Sequence, residues 1–136
     1  MPWQRRPPVR ADPPALGILL LDGGQERAHY AFVMAAGAAA LGRSVVVFAT
    51  NRGCRALLAD PSGLEGWSRE AVLAARGVAG LEELRAAAVE FGVRLIACEA
   101  GLRAEALDDA PLLAGVEVAG VATFLAAIGG GQIVSL

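Results

Sequence analysis

Short aliphatic runs separated by longer alanine-rich stretches constrain this chain more than any other feature. Residues 16–21 (LGILLL) and 44–49 (SVVVFA) are almost unbroken in their apolar character, and residues 93–98 (VRLIAC) are nearly so. Runs this short and this apolar predict strands buried on both faces, as in a parallel sheet covered on each side. Two briefer strands are expected at 116–118 and 132–136. Between them lie helical patterns at 25–41, 55–59, 81–91, 102–107 and 119–128. Ser68 is placed to cap a further short helix running to Ala75, with Trp67 packed beside it. Alternation of strand and helix implies a mostly parallel five-stranded sheet in a three-layer α/β/α sandwich.

The sequence has 136 residues, which suits one domain over residues 15–136. Residues 1–14 carry five of the seven prolines and three arginines, and read as an extended tail. Aromatic residues make up only 5%, so the core must be built from Ala, Leu and Val. The 25–41 helix is apolar around its whole circumference, with Tyr30, Phe32, Val33, Met34 and Leu41 spread over all sides. Such a helix is expected to be covered on more than one side, which points to a subunit interface.

Several function classes are disfavoured. A net charge of −2 gives no positive field for nucleic acid. No apolar run reaches the roughly 18 residues of a membrane span. Arg5-Arg6 is followed by prolines rather than the apolar region of an export signal. Two cysteines make no disulfide framework, so a reducing, cytoplasmic setting is expected. The first turn, Asp22-Gly23-Gly24-Gln25, lacks the dinucleotide fingerprint, and a chain without lysine has no phosphate-binding P-loop. One histidine and two separated cysteines supply no metal set, and no cofactor is expected.

What remains is thiol chemistry at the carboxyl ends of strands, where sites on open α/β sheets lie. Cys98 ends the third strand just before a helix that starts near Gly101, a position that favours a thiolate. Cys54 follows the second strand and is a candidate second thiol. Thr50, Asn51, Gly23 and Gly24 occupy loops on the same edge and are candidate substrate contacts. Only four residues separate Cys98 from Arg103, one short of a phosphatase-type anion loop, and Glu99 lies within that interval. Arg103 reads as a solvated helix residue, His29 as a polar surface or interface residue, and Asp108 and Asp109 as a solvated loop. The residues alone leave three readings open: a functional thiol at Cys98, a thiol redox sensor using Cys54 and Cys98, and an oligomeric binding module in which Cys98 only packs.

The segments 22–28 (DGGQERA), 80–84 (GLEEL) with 91–98 (FGVRLIAC), and 115–125 (GVEVAGVATFL), in this order and spacing, resemble the DsrE/DsrF-like family. The resemblance spans residues 16–136 and implies a small α/β sandwich assembled as a homotrimer or homohexamer. It further implies a sulfur-relay protein, a sulfurtransferase or persulfide carrier of the DsrE/TusD-related kind. Such a protein would hold sulfane sulfur on the cysteine matching Cys98 and exchange it with donor and acceptor proteins.

Overall fold

The structure, a computed structural model, describes residues 13–136. The proline- and arginine-rich tail expected over 1–14 lies, up to residue 12, outside the described residues. Strands β1 (Leu16–Leu20), β2 (Val45–Ala49), β3 (Arg94–Cys98), β4 (Glu117–Ala119) and β5 (Gln132–Ser135) form one sheet. Its order is β4-β3-β2-β1-β5, and every pairing is parallel. All five residues of the central β2 are buried, as its unbroken apolar sequence requires.

The strand order explains where the helices lie. From β1 to β4 each strand is added on the same side of its predecessor, so right-handed crossovers put the connections on one face. That face carries α1 (Gln25–Ala40) and α3 (Leu81–Glu90). Ile18, Leu20, Val47, Ala49, Leu95 and Ala97 meet Phe32, Ala35 and Leu81 there, in the larger core. The chain then returns across the sheet from β4 to β5, and the same handedness sends α5 (Val121–Ile128) to the opposite face. The alternate strand residues Val46, Phe48, Ile96 and Cys98 form a smaller core there with Phe124 and Ile128.

Close packing fixes α5. The rings of Phe124 and Phe48 stack with centroids 5.0 Å apart. A Cβ on Gly17 would lie 2.8 Å from Ile128 Cγ1 and 2.9 Å from Phe124 Cζ, so only glycine admits the helix at this distance. At the end of α1, Gly42 takes φ +87° and closes the last turn by donating to Ala39 O while Arg43 donates to Ala38 O.

The three-layer parallel architecture agrees with the sequence, whereas several details differ. The helix expected at 102–107 is α4 (Glu99–Ala104), which begins as soon as β3 ends. The helix expected at 55–59 is a 3-10 helix, Asn51–Leu57, which draws Cys54 out of the loop. Ser68 stands at the N-cap of α2 (Arg69–Ala75) without a side-chain capping bond. Phe91, Val121 and Leu125 are half exposed despite their apolar character. On α1, Ala28, Phe32 and Ala35 face the core while Tyr30 is exposed, as is Leu41 just beyond it.

Arg85 was not anticipated. It lies on the core side of α3, 4% exposed, and donates to the carbonyls of Ala56 (3.1 Å), Leu58 (2.6 Å) and Ala59 (3.4 Å). These carbonyls lie at and just past the end of the 3-10 helix, where acceptors lack helical partners. Burial lowers the guanidinium pKa, and the charges of Glu82 and Asp60 oppose that shift. No helix among the described residues is long and apolar enough to cross a membrane.

Phe124→Ala removes the stacked ring from the smaller core. Urea unfolding should show a loss of about 3–5 kcal/mol, the range for large-to-small core changes.

Candidate functional site

The connections diverge between β3 and β4. β3 runs into α4, whose Leu102 joins the larger core, while β4 runs into α5 on the opposite face. Neighbouring strands whose continuations leave on opposite faces create a crevice at their carboxyl ends, the usual location of sites on such sheets. Cys98 is the last residue of β3 and pairs with Ala119, the last of β4.

Because α4 starts at Glu99, Cys98 is its N-cap residue. This differs from the expected start near Gly101, and it changes what the sulfur does. Cys98 has extended backbone angles (φ −67°, ψ 120°), and its Sγ accepts the Gly101 N–H at 3.4 Å. Serine or aspartate oxygens ordinarily take this bond. A thiolate accepts it better than a thiol, because a charge-assisted bond is stronger. Cys98 is 9% exposed, so the residue is largely covered.

The surrounding chain is held close. A Cβ on Gly101 would fall 2.5 Å from Asn51 N and 2.7 Å from Thr50 Oγ1, so α4 presses directly on these two residues. Asn51 adopts φ +49°, a left-handed conformation that asparagine tolerates better than most side chains. Thr50 and Asn51 are thus brought to α4. Gly23 and Gly24 are not; they lie beyond β1, where Gly23 meets Arg52 and Gly24 leads into α1.

Glu99 and Arg103 form an ion pair one turn apart on α4, both well exposed. Arg103 is therefore turned toward Glu99 and offsets the one carboxylate adjoining the cysteine in sequence. A cavity of about 260 Å³ adjoins this turn, with Glu99, Leu102, Arg103, Asp108, Leu112 and Val118 in its wall. Cys98 does not line it. Asp108 is exposed in a turn, as expected, and also contributes to this pocket wall. His29 differs from expectation, since it is buried and its Nε2 donates to Ala79 O at 2.8 Å. It holds the segment before α3, away from proton transfer.

Cys54 behaves differently from Cys98. It is fully buried, and its thiol donates to Ala49 O at 3.5 Å. Burial pushes its pKa up to about 11, and the nearby charge of Cys98 adds to that rise. The two cysteines follow neighbouring strands, but Cys54 is held as the neutral, weakly nucleophilic thiol. Sequence reasoning took Gly101 only as a helix start, not as a contact with Thr50 and Asn51, and missed Arg85. A glycine inside a helix was the available signal for the first, and an arginine between Leu81 and Ala88 for the second.

Two outcomes follow from the contrast between the thiols. Iodoacetamide at pH 8 should alkylate Cys98 in the native protein and reach Cys54 only after unfolding, as peptide mapping will show. The folded chain keeps the Cys54 proton up to about pH 11, whereas the unfolded chain releases it near the ordinary 9.0. The stability from this group is complete below pH 9 and is lost between about 9 and 11. The loss should amount to about 2–3 kcal/mol and be absent in Cys54→Ala, read by denaturant titration at each pH.

Comparisons with known proteins bear on the family and the fold. Sulfur carrier protein DsrE2 of Allochromatium vinosum is 30% identical to the chain, over 80% of this chain and 89% of that protein. The YchN protein of E. coli shares the fold with a TM-score of 0.68 at 12% identity, over 90% of this chain and 99% of that one. MTH1491, a protein of unknown function from Methanobacterium thermoautotrophicum, gives 0.56 at 19% identity over the same shares. The model of the DsrE/DsrF-like family matches residues 16–134, nearly the whole described chain. On this match the chain belongs to the DsrE/DsrF-like family.

Proposed function

We propose that the protein is a sulfur carrier that holds sulfane sulfur as a persulfide on Cys98. The observation that carries this reading is the Cys98 sulfur in the cap of α4, at the divergence between β3 and β4. The Cys98 thiolate attacks the outer sulfur of a donor persulfide. The donor S–S bond breaks, the donor leaves as a thiolate, and a new S–S bond forms on Cys98. An acceptor thiolate then attacks the outer sulfur, and Cys98 departs as the thiolate. The Gly101 N–H stabilises that anion at both ends of the cycle. No external oxidant or reductant enters. The name of the 30% identical relative supports the same reading.

Full burial and the raised pKa of Cys54 weigh against a redox sensor built on a Cys54–Cys98 disulfide. The binding-module alternative draws on the 260 Å³ cavity beside α4, which would take a small ligand or a partner's side chains. A reducing, cytoplasmic setting belongs to the proposal, since both thiols are free. So does a homotrimer or homohexamer, supported by the exposed apolar residues Tyr30 and Leu41 at α1 and Val121 and Leu125 on α5.

Incubation with a sulfane-sulfur donor should add one sulfur atom (about 32 Da) by intact-protein mass spectrometry, and Cys98→Ser should abolish the gain. A wild-type protein that gains no sulfur from any donor and whose Cys98 resists alkylation would remove the basis of this reading. Light scattering at micromolar concentration should give a mass of three or six chains, and a monomer mass would contradict the assembly.

A further inference from the structure

Further along the same sheet edge, beyond β1, a second cavity of about 230 Å³ is lined by Leu21, Asp22, Arg27, Arg52 and Leu136. Among the described residues, neither arginine has a carboxylate within ion-pair distance, although four other arginines do. Asp22 is the one acidic side chain in the wall, and its Oδ2 already accepts the Gly24 N–H at 2.9 Å.

The two cations reach this cavity from different elements of the sheet edge. Arg27 is the third residue of α1, and Arg52 the second residue of the 3-10 helix. Helix starts carry partial positive charge and favour acids over bases. Two guanidiniums thus line one cavity beside a single acidic side chain, that of Asp22. The turn beneath them is shaped to allow it. A Cβ on Gly23 would lie 2.7 Å from Arg52 Cβ, so the missing side chain is what lets Arg52 lie over the turn.

We propose that this cavity is a subsite for a small tetrahedral oxoanion of the phosphate or thiosulfate type. Two planar guanidiniums supply paired N–H donors matched to such oxygens, and the anion offsets their positive charge. The cavity volume holds one such group with several waters of about 30 Å³ each. The proposal stands apart from the sulfur-carrier reading, since no step on Cys98 requires it.

The test is isothermal titration of the intact chain with inorganic phosphate and, separately, with thiosulfate, at constant ionic strength set by chloride. One saturable site per chain is expected for at least one anion. A preference for phosphate would identify a phosphorylated ligand, and a preference for thiosulfate a sulfur oxyanion. Arg27→Gln and Arg52→Gln should each weaken binding at least roughly tenfold, and Arg52→Lys should fall between wild type and Arg52→Gln. Gly23→Ala keeps both charges but displaces Arg52, and should also weaken binding. Thermal midpoints without anion should be unchanged or raised in the two glutamine variants, which separates lost binding from lost folding. Wild type that binds neither anion, or variants that bind as wild type does, would overturn the proposal.

Discussion

Phe124 stacks on Phe48 because residue 17, on the neighbouring strand, has no side chain to keep them apart. Much of the molecule's organisation follows from that contact. It holds the eight-residue α5 on its sheet face, and so anchors the return of the chain from β4 to β5. Once α5 is committed to that face, while α4 packs through Leu102 on the other, the ends of β3 and β4 must part. Cys98 stands at the end of β3, where the two continuations separate. A pair of aromatic rings thus positions a sulfur atom contributed by another strand.

Around that sulfur the chain supplies polarity sparingly. One backbone N–H points at it, and the adjacent carboxylate of Glu99 is offset by Arg103. The only histidine of the sequence is tied to a carbonyl before α3. A site with no nearby imidazole suits transfer between sulfur atoms, where the nucleophile and the leaving group are both thiolates and no strong base is required. The second thiol, sealed under the 3-10 helix, shows the other fate open to a cysteine on this edge, since burial there favours the proton.

The layers and the parallel sheet were legible because unbroken apolar runs such as residues 45–49 admit few alternatives to a central buried strand. The position of Cys98 at a strand end was legible for the same reason. Its capping role was not, because Glu99-Ala100-Gly101 contains a glycine that reads as a break before a helix. In the fold that glycine is required by contact with Thr50 and Asn51, and tertiary packing overrides its low helix propensity. Arg85 escaped detection for a related reason. The carbonyls it satisfies belong to a segment about 26–29 residues away, and no local pattern records them. The outward position of Val121 and Leu125 was likewise hidden, because periodicity gives the phase of an apolar stripe without showing how wide a surface is there to receive it.

The cap on α4 has a geometric corollary. A second sulfur bonded to Cys98 would extend the side chain by an S–S length of about 2 Å. With the inner atom retained by the Gly101 amide, the added atom lies beyond the helix turn in the proposed reading. On the proposed reading, an empty carrier keeps its reactive atom sheltered, while a loaded one displays its cargo. Occupancy itself would then govern access, with no hinge or lid required.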